Sequence, residues 1–231
     1  MRLDKYISQT TDFSRKEVKK MIKNGWIDVD GAIQTDAGSQ VMPGQQVCLD
    51  GEPLAQPGPR YFMLNKPQGY VSVTKDANHP TVLELIEEPN LDKLQIAGRL
   101  DIDTTGLLLI TDDGQWNHAI TSPRKSCNKV YHVTLAEDIS NETAPRFSEG
   151  ILLDGELKPT LPATLDVIYA NEARLTIQEG KYHQVKRMFA AVGNRVVELH
   201  RERVGDIVLD PDLAEGDYRP LTEAEISSVQ P

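Results

Sequence analysis

The apolar run at residues 107–110, Leu-Leu-Leu-Ile, lies directly behind the polar segment GRLDIDTTG and directly before TDDG. Four consecutive aliphatic residues bounded by turn-forming residues are typical of a strand that is buried on both faces. The whole stretch, residues 98–114, contains four aspartates, three threonines and three glycines. The chain must therefore build a core around this run, and the carboxylates beside it form turns, bind a metal or take part in chemistry.

A calcium loop is one interpretation of these carboxylates. Asp101, Asp103 and Gly106 match its opening pattern, D-x-D-x-x-G. However, Leu109 stands at the ninth position, where an oxygen ligand is expected, and Asp112 replaces the bidentate glutamate of the twelfth position. We also find no amphipathic helical pattern on either side of the segment. The sequence therefore gives a calcium site little support, and no metal is expected.

Turn formation explains Asp103, Asp112 and Asp113, because aspartate bonds readily to nearby backbone amides. Asp101 differs from them, since it follows Arg99 by two residues and leads through a Thr-Thr-Gly loop into the buried strand. A carboxylate at the edge of a core, next to a cation, is suited to acid–base or nucleophilic chemistry. Asp101 is therefore the candidate catalytic acid, with a turn residue as the alternative.

The first 50 residues carry a basic helix. In SRKEVKKMIKNG, Ser14 and Glu17 match a capping box, and Gly25 marks the end of the helix. Five basic residues lie on the face opposite Val18 and Ile22: Arg15, Lys16, Lys19, Lys20 and Lys23. Such a one-sign face favours binding to nucleic-acid phosphates over a merely solvated surface. Another short helix is predicted before it, and short strands after it.

The net charge of −10 argues against a nucleic-acid partner only if the charges are evenly spread. They are not, because residues 206–225 hold seven acidic residues and one arginine. The segments KYHQVKRMF and NRVVELHRERV together hold six basic residues and two glutamates. The negative total therefore leaves basic patches available to bind RNA.

The segment GEPLAQPGPR, residues 51–60, contains three prolines and no periodicity, which is typical of a linker. It separates a small domain, residues 1–50, from a larger one, residues 61–231. The larger domain combines many short strands with few helices and shows no regular βαβ alternation. We therefore predict an α+β fold, with a mixed, mainly antiparallel sheet and flanking helices in the larger domain.

The two cysteines lie far apart and form no CxxC pair, so two free thiols in a reducing compartment are expected. The N-terminus lacks the apolar core of a signal peptide, and no apolar run reaches the ~20 residues of a membrane span. These features predict a cytoplasmic protein without a membrane partner. We expect it to be a monomer.

The segments RLDKYIS and SRKEVKKMIKNGWIDVDG resemble the S4 RNA-binding domain. GRLDIDTTGLLLITDDG resembles the signature of RNA pseudouridine synthases that modify ribosomal RNA, and YFMLNKPQGYV, KVYHVTL and EGKYHQVKRMFAAVG agree with it. The resemblance covers nearly the whole chain. It implies an S4-like RNA-binding domain before a catalytic domain built on a mixed sheet, and an activity that needs neither cofactor nor metal.

The resemblance also implies roles for individual residues. Asp101 would be the catalytic aspartate, Lys186 the cation that keeps it ionised, and Tyr131 the aromatic ring that stacks on the target base. Without the resemblance, the sequence pattern predicts that Tyr131 is a core residue of an alternating strand. Further RNA contacts would come from three residues: Lys66, Arg99 and Arg187, the last also being the alternative cation.

His183 and His200 have no second metal ligand at helical spacing, so we interpret both as structural or RNA-facing. The substrate implied by the resemblance is a uridine of small-subunit (16S) ribosomal RNA, either free or in a small-subunit assembly intermediate. Large-subunit ribosomal RNA is the alternative within the family. A non-enzymatic RNA-binding factor of ribosome assembly is the alternative outside it.

Overall fold

A computed structural model describes residues 1–122 and 127–229 of the chain, and these residues form two compact units. The first unit is Met1–Pro59 with Glu87–Lys93, and the second is Arg60–Ile86 with the described residues from Leu94 onward. Residues 51–59 and 87–93, predicted as linker and as part of the larger domain, thus group with the first unit.

The first unit contains two helices and a small antiparallel sheet. Its elements are α1 (Leu3–Thr10), α2 (Arg15–Lys23), β1 (Ile27–Val29), β2 (Ala32–Ile33), β3 (Val47–Leu49) and β4 (Glu52–Pro53). The strand order is β2-β1-β3-β4. A turn with positive φ at Asp50 and Gly51 folds β4 back onto β3, which is why part of the predicted linker lies in the sheet.

The predicted basic helix is confirmed as α2. Its capping box forms, with the Ser14 amide donating to Glu17 Oε2 at 2.8 Å. Val18 and Ile22 are fully buried in the core of this unit. The five basic residues of the opposite face are all exposed: Arg15, Lys16, Lys19, Lys20 and Lys23. The sequence pattern therefore separates the two faces of α2 correctly.

The second unit is built around one large sheet. Its strands are β5 (Tyr61–Lys66), β6 (Gln95–Ala97), β7 (Thr105–Thr111), β8 (Lys129–Leu135), β9 (Thr164–Tyr169), β10 (Glu172–Ile177), β11 (Val196–Val204), β12 (Ile207–Val208) and β13 (Tyr218–Pro220). The main order is β13-β5-β7-β11-β8-β10-β9, with β6 beside β7 and β12 beside β11. Among the described strands, β7 and β11 pair in parallel and the other neighbours are antiparallel. The predicted mixed, mainly antiparallel sheet is confirmed.

Helices flank this sheet. They are α3 (Gly114–Thr121), α4 (Thr143–Glu149), α5 (Gln184–Ala191) and α6 (Glu223–Ser228). The sequence segments TAPRFSEGI and YHQVKRMFAAVG predict helices and contain α4 and α5, whereas α3 and α6 were not predicted. Asp113 accepts hydrogen bonds from the amides of Gln115 and Trp116, so the Asp-Gly pair begins a helix instead of a plain turn.

The calcium interpretation also fails in the structure, although α3 supplies a helix that the sequence pattern did not show. Asp112 accepts hydrogen bonds from the amide and the Nε of Arg60, at 2.7 and 2.8 Å. Within residues 1–122 and 127–229, no group of three or more His, Cys, Asp or Glu side chains is placed to hold a metal ion. Nor is any helix in these ranges both long and apolar enough to cross a membrane.

The predicted buried strand is β7, and residues 107–110 are fully buried. The sequence RYFMLNKPQGYVSV predicts a strand, a turn and a second strand, but the second strand does not form, since only an isolated bridge joins Val71 to Thr81. In contrast, β7 pairs with β5 along one edge, and with β11 and then β6 along the other. The apolar run therefore lies at the centre of the large sheet.

Arg201 on β11 is a charged side chain inside this core, only 1 % exposed. Its Nε donates to the carbonyl of Leu107 at 2.8 Å, and its Nη2 donates to the carbonyl of Gly98 at 2.7 Å. Nη1 lies 3.5 Å from the carbonyl of Arg99. The guanidinium of Arg201 therefore binds carbonyls both in the chain before β7 and in the middle of the sheet.

Replacing Arg201 by methionine should destabilise the second unit by about 3 kcal/mol, because buried carbonyls would lose a charged donor. Urea unfolding followed by Trp116 fluorescence in a Trp26→Phe background reports this unit. Arg195→Met, at an exposed position near the start of the same strand, should change stability by no more than about 0.5 kcal/mol. Equal effects of the two substitutions would contradict the role of Arg201.

Gly106 shows how closely β7 approaches β11. Its φ is +99°, and a Cβ there would lie 2.4 Å from the backbone oxygen of Arg201. Gly106→Ala should therefore lower the free energy of unfolding by about 3 kcal/mol, by overpacking and backbone strain together. Gly193→Ala, with φ of +82° and no atom within 4 Å of the added carbon, should cost only about 1 kcal/mol. Similar losses in the same urea assay would contradict the steric argument.

Candidate active site

Asp101 lies on the loop between β6 and β7, at the edge of the buried sheet. Its carbonyl accepts a hydrogen bond from the Thr104 amide at 3.1 Å, which closes a turn. The preceding residue, Leu100, exchanges two hydrogen bonds with the Ser72 hydroxyl, at 2.8 and 3.1 Å. The loop is therefore held in place on both sides of Asp101.

The first turn of α5 and the residue before it bring two basic side chains to this loop. Lys186 Nζ donates to Asp101 Oδ2 at 3.1 Å and to Asp103 Oδ1 at 2.6 Å. His183 Nε2 lies 3.5 Å from Asp101 Oδ1. The Asp101 side chain is 31 % exposed, so the acid is accessible from solvent while two basic groups face it. The structure thus brings together Asp101 and Lys186, the pair predicted from the sequence.

Asp103 belongs to the same ion cluster, whereas the sequence indicated only a turn residue. Partial burial would lower the pKa of Lys186, but the hydrogen bonds and charges of Asp103 and Asp101 outweigh it and raise that pKa. Burial likewise opposes ionisation of Asp103, yet Lys186 brings the pKa of that carboxyl below its usual value. Lys186 is therefore a firmly charged ammonium shared by two carboxylates.

Lys66 requires a correction, because it was predicted to contact the RNA backbone. It is fully buried, and its Nζ donates to the carbonyls of Pro67 at 3.0 Å, Thr104 at 2.8 Å and Ile102 at 3.4 Å. Burial lowers the pKa of Lys66 to about 8, against the opposing effect of the Asp103 and Asp101 charges. Lys66 supports the Asp101 loop from inside and presents no charge to RNA.

Arg187 is also placed differently from the prediction. Its Nη1 donates to the carbonyl of Tyr182 at 3.0 Å and pairs with Glu156 at 3.3 Å, and its Nη2 donates to the carbonyl of Asp154. These bonds engage the guanidinium away from Asp101. Arg187 therefore anchors the loop at residues 154–156 instead of serving as an alternative cation for the acid.

Tyr131 on β8 is 7 % exposed and lies directly opposite Arg201 in the strand register. Its hydroxyl is 3.5 Å from Arg201 Nη1, and the guanidinium carbon is 6.0 Å from the ring centroid. On the other edge of β11, Arg201 pairs with Gly106, the second residue of β7. The Arg99 side chain, two residues before Asp101, is exposed.

Sequence reasoning missed His183 and Arg201 as parts of this arrangement. His183 stands three residues before Lys186, a spacing that places both side chains on one face of a helix. Arg201 occupies an inward position of the alternating strand VVELHRERV, where an unpaired charge would be costly. Both signals were present in the sequence. His200, by contrast, is hydrogen-bonded to Thr105 Oγ1 at 2.8 Å, which fits the predicted structural role.

The arrangement provides a partly exposed carboxylate, a fixed ammonium and an imidazole above a rigid loop. The carboxylate can attack a carbon, stabilise a developing positive charge or remove a proton. The chemistry therefore centres on one carboxylate and the cation that faces it.

Comparisons with known proteins show the family to which this chain belongs. The family model described as RNA pseudouridylate synthase matches residues 60–191, and the S4 domain model matches residues 1–57. The chain is 59 % identical to the ribosomal small subunit pseudouridine synthase A of Escherichia coli (strain K12), over 99 % of this chain and 100 % of the relative. The relative of that name from Vibrio parahaemolyticus is 52 % identical, over 99 % of each chain.

A solved structure is also similar over the full length. The crystal structure of a pseudouridylate synthase superposes with a TM-score of 0.73 at 46 % identity, and the match covers 100 % of both chains. The match includes the loop of Asp101 and the helix of Lys186. The S4 domain implied by the resemblance of the N-terminal segments is also shown, at residues 1–57. This chain belongs to the RNA pseudouridylate synthase family.

Proposed function

We propose that this protein isomerises one uridine of small-subunit ribosomal RNA to pseudouridine, with Asp101 as the catalytic aspartate. The observation that carries the proposal is the contact of Asp101 with Lys186, 3.1 Å apart, at the edge of the sheet. The substrate is proposed because the relatives matched over their full length are named ribosomal small subunit pseudouridine synthase A.

The reaction breaks the bond between C1′ of the sugar and N1 of uracil, and it joins C1′ to C5 of the same base. The proton on C5 is lost to solvent, and N1 acquires one. An ionised carboxylate is suited to stabilising or bonding to the electron-poor sugar carbon, or to removing a sugar proton. Asp101 is the group that we assign to this step.

Lys186 supports the reaction by placing a positive charge 3.1 Å from Asp101 Oδ2, where it can fix the position of the carboxylate. Asp103 binds the other side of the ammonium at 2.6 Å and so restricts its position. Glycoside hydrolases use two carboxylates to activate water. A single reacting acid suits an isomerase better, because the freed uracil must turn and rebond without attack by water.

The uridine must leave its stack to reach Asp101, which costs a few kcal/mol. We assign to Tyr131 a stacking contact with the extruded base, an interaction worth about 1–3 kcal/mol. Arg99 is exposed beside the loop, and its guanidinium is available to fill the vacated space or to hold a phosphate.

The S4 domain is proposed as the anchor for ribosomal RNA, through the exposed basic face of α2. The substrate is either free 16S RNA or an assembling small subunit, and we assign the enzyme to the cytoplasm, where that substrate is made. We propose that it acts as a monomer. Mapping pseudouridines in ribosomal RNA from cells with and without the gene tests the target, and a lost modification in large-subunit RNA would overturn the assignment.

Asp101→Asn should lower the rate of tritium release from 16S RNA labelled at C5 of uridine by about 10⁴-fold, since it removes a group acting in the transition state. RNA affinity, measured by filter binding, should change less than about twofold, because amide and carboxylate have nearly the same shape. Asp138→Asn, at an exposed position, is the matched control and should retain the full rate. Turnover by Asp101→Asn at the wild-type rate would remove Asp101 from its role.

Neutralising α2 tests the RNA anchor. A variant with Lys19, Lys20 and Lys23 changed to glutamine should bind 16S RNA more weakly, with a shallower dependence of log K on log salt. Each lysine that contacts a phosphate accounts for about one unit of that slope. Lys75→Gln, an exposed lysine of the second unit, serves as control and should leave the slope unchanged. An unaltered slope in the triple variant would show that α2 does not contact phosphates.

A further inference from the structure

Beside the ion cluster lies an exposed pair of stacked rings that the proposed mechanism does not use. The rings of Tyr182 and His183 are parallel to within 20°, with centroids 3.8 Å apart. Tyr182 is 76 % exposed, whereas His183 extends to within 3.5 Å of Asp101. The two rings therefore form a continuous aromatic surface that begins at the catalytic acid and ends in solvent.

The backbone of this pair is rigidly held. His183 adopts a left-handed conformation, with φ of 47° and ψ of 36°, just before α5 begins. A histidine rarely takes this conformation unless the surrounding structure requires it. The bend turns the two consecutive side chains so that their rings stack, although neighbours in an extended strand point to opposite faces.

The flanking residues are bonded on both sides of the pair. Lys181 Nζ pairs with Glu156 at 2.8 Å, and the amide of Lys181 donates to the side chain of Gln184 at 2.9 Å. Arg187 holds the carbonyl of Tyr182 at 3.0 Å. The Tyr182 ring is thus exposed on a fixed support, so little conformational entropy is lost when a partner binds to it.

An exposed aromatic ring is unfavourable in water unless it gains a partner, and the partner of this protein is RNA. Every nucleobase has a π-face that can stack on such a ring, which is the usual way in which proteins bind unpaired bases. Extruding a uridine also leaves each neighbouring base with one unstacked face. A neighbouring base is therefore the occupant that the position beside Asp101 favours.

We propose that Tyr182, supported by His183, binds the base adjacent to the target uridine by stacking. This inference rests on the proposed function, since it assumes that RNA enters the site at Asp101. It makes Tyr182 a determinant of substrate binding and of the sequence around the target, separate from the group that performs the reaction. By stacking on the adjacent base, the Tyr182 ring stabilises the RNA conformation in which the uridine is extruded.

Steady-state tritium release with a 16S RNA fragment around the mapped uridine tests this assignment. Tyr182→Ala should raise KM about tenfold, equivalent to about 1.4 kcal/mol, while kcat changes less than about twofold. Tyr182→Phe and Tyr182→Trp keep an aromatic face and should restore KM. Tyr169→Ala, another tyrosine of the second unit and 67 % exposed, is the matched control and should behave as wild type.

A second experiment measures the stack itself. RNA fragments lacking the base on the 5′ or the 3′ side of the uridine are compared with the intact fragment, using wild type and Tyr182→Ala. At the stacked position, removing the base should raise the wild-type KM but should add no further loss in Tyr182→Ala. Fully additive losses at both positions, or a Tyr182→Phe variant as impaired as Tyr182→Ala, would overturn the proposal.

The same RNA carrying 2-aminopurine beside the target reports stacking without turnover. In an Asp101→Asn background, its fluorescence should be quenched on binding, and Tyr182→Ala should abolish that quenching. Failure of the proposed function would appear separately, as absent tritium release by the wild-type protein. Normal wild-type turnover with unchanged KM and unchanged quenching in Tyr182→Ala would refute only the stacking site.

Discussion

The site depends on two buried cations that hold a loop by its carbonyl groups. Arg201 binds the carbonyls of Gly98 and Leu107, one on each side of the loop, and Lys66 binds the carbonyls of Ile102 and Thr104 between them. Burying a charge is tolerable only when its hydrogen bonds are satisfied, so these bonds restrict the loop to one conformation. The carbonyls face inward, and the carboxylates of the loop remain accessible at the edge of the sheet.

The same arrangement determines the electrostatics above the loop. The carboxylates of Asp101 and Asp103 lie beside the single ammonium of Lys186, at 3.1 and 2.6 Å. Lys186 is therefore stabilised in its charged form, as the raised pKa of its ammonium indicates. Because the stacked Tyr182 and His183 rings directly precede α5, one short helix and its entry supply both the counter-charge and an aromatic surface. Under the function that we propose, reaction and RNA binding are combined within a few residues of the start of α5.

Local patterns predicted much of the fold. The apolar run of β7 and the capping box and two-faced pattern of α2 follow from spacing and turn residues alone. The segment ATLDVIYANEARLTIQEG likewise predicts a strand, an Asn-containing turn and a strand, and it forms the hairpin of β9 and β10. The helices α3 and α6 were missed because an Asp-Gly pair can begin a helix or form a turn, and the choice depends on packing. Trp116, for example, is buried against the core of the second unit, which stabilises α3 once the sheet has formed. Short helices of this kind depend on tertiary contacts.

The sequence by itself determined the buried strand, the basic helix and Asp101 as the candidate acid, because each leaves a local signature of hydrophobicity, charge or turn residues. Only the tertiary structure decided which cations serve the acid. Lys186 meets Asp101 across 85 residues of chain, whereas Arg187, its neighbour, binds Glu156, and Lys66 is enclosed in the core. A long basic side chain looks the same in a sequence whether it is buried, paired or free. Its role is set by the distant elements that pack around it, and no local pattern records them.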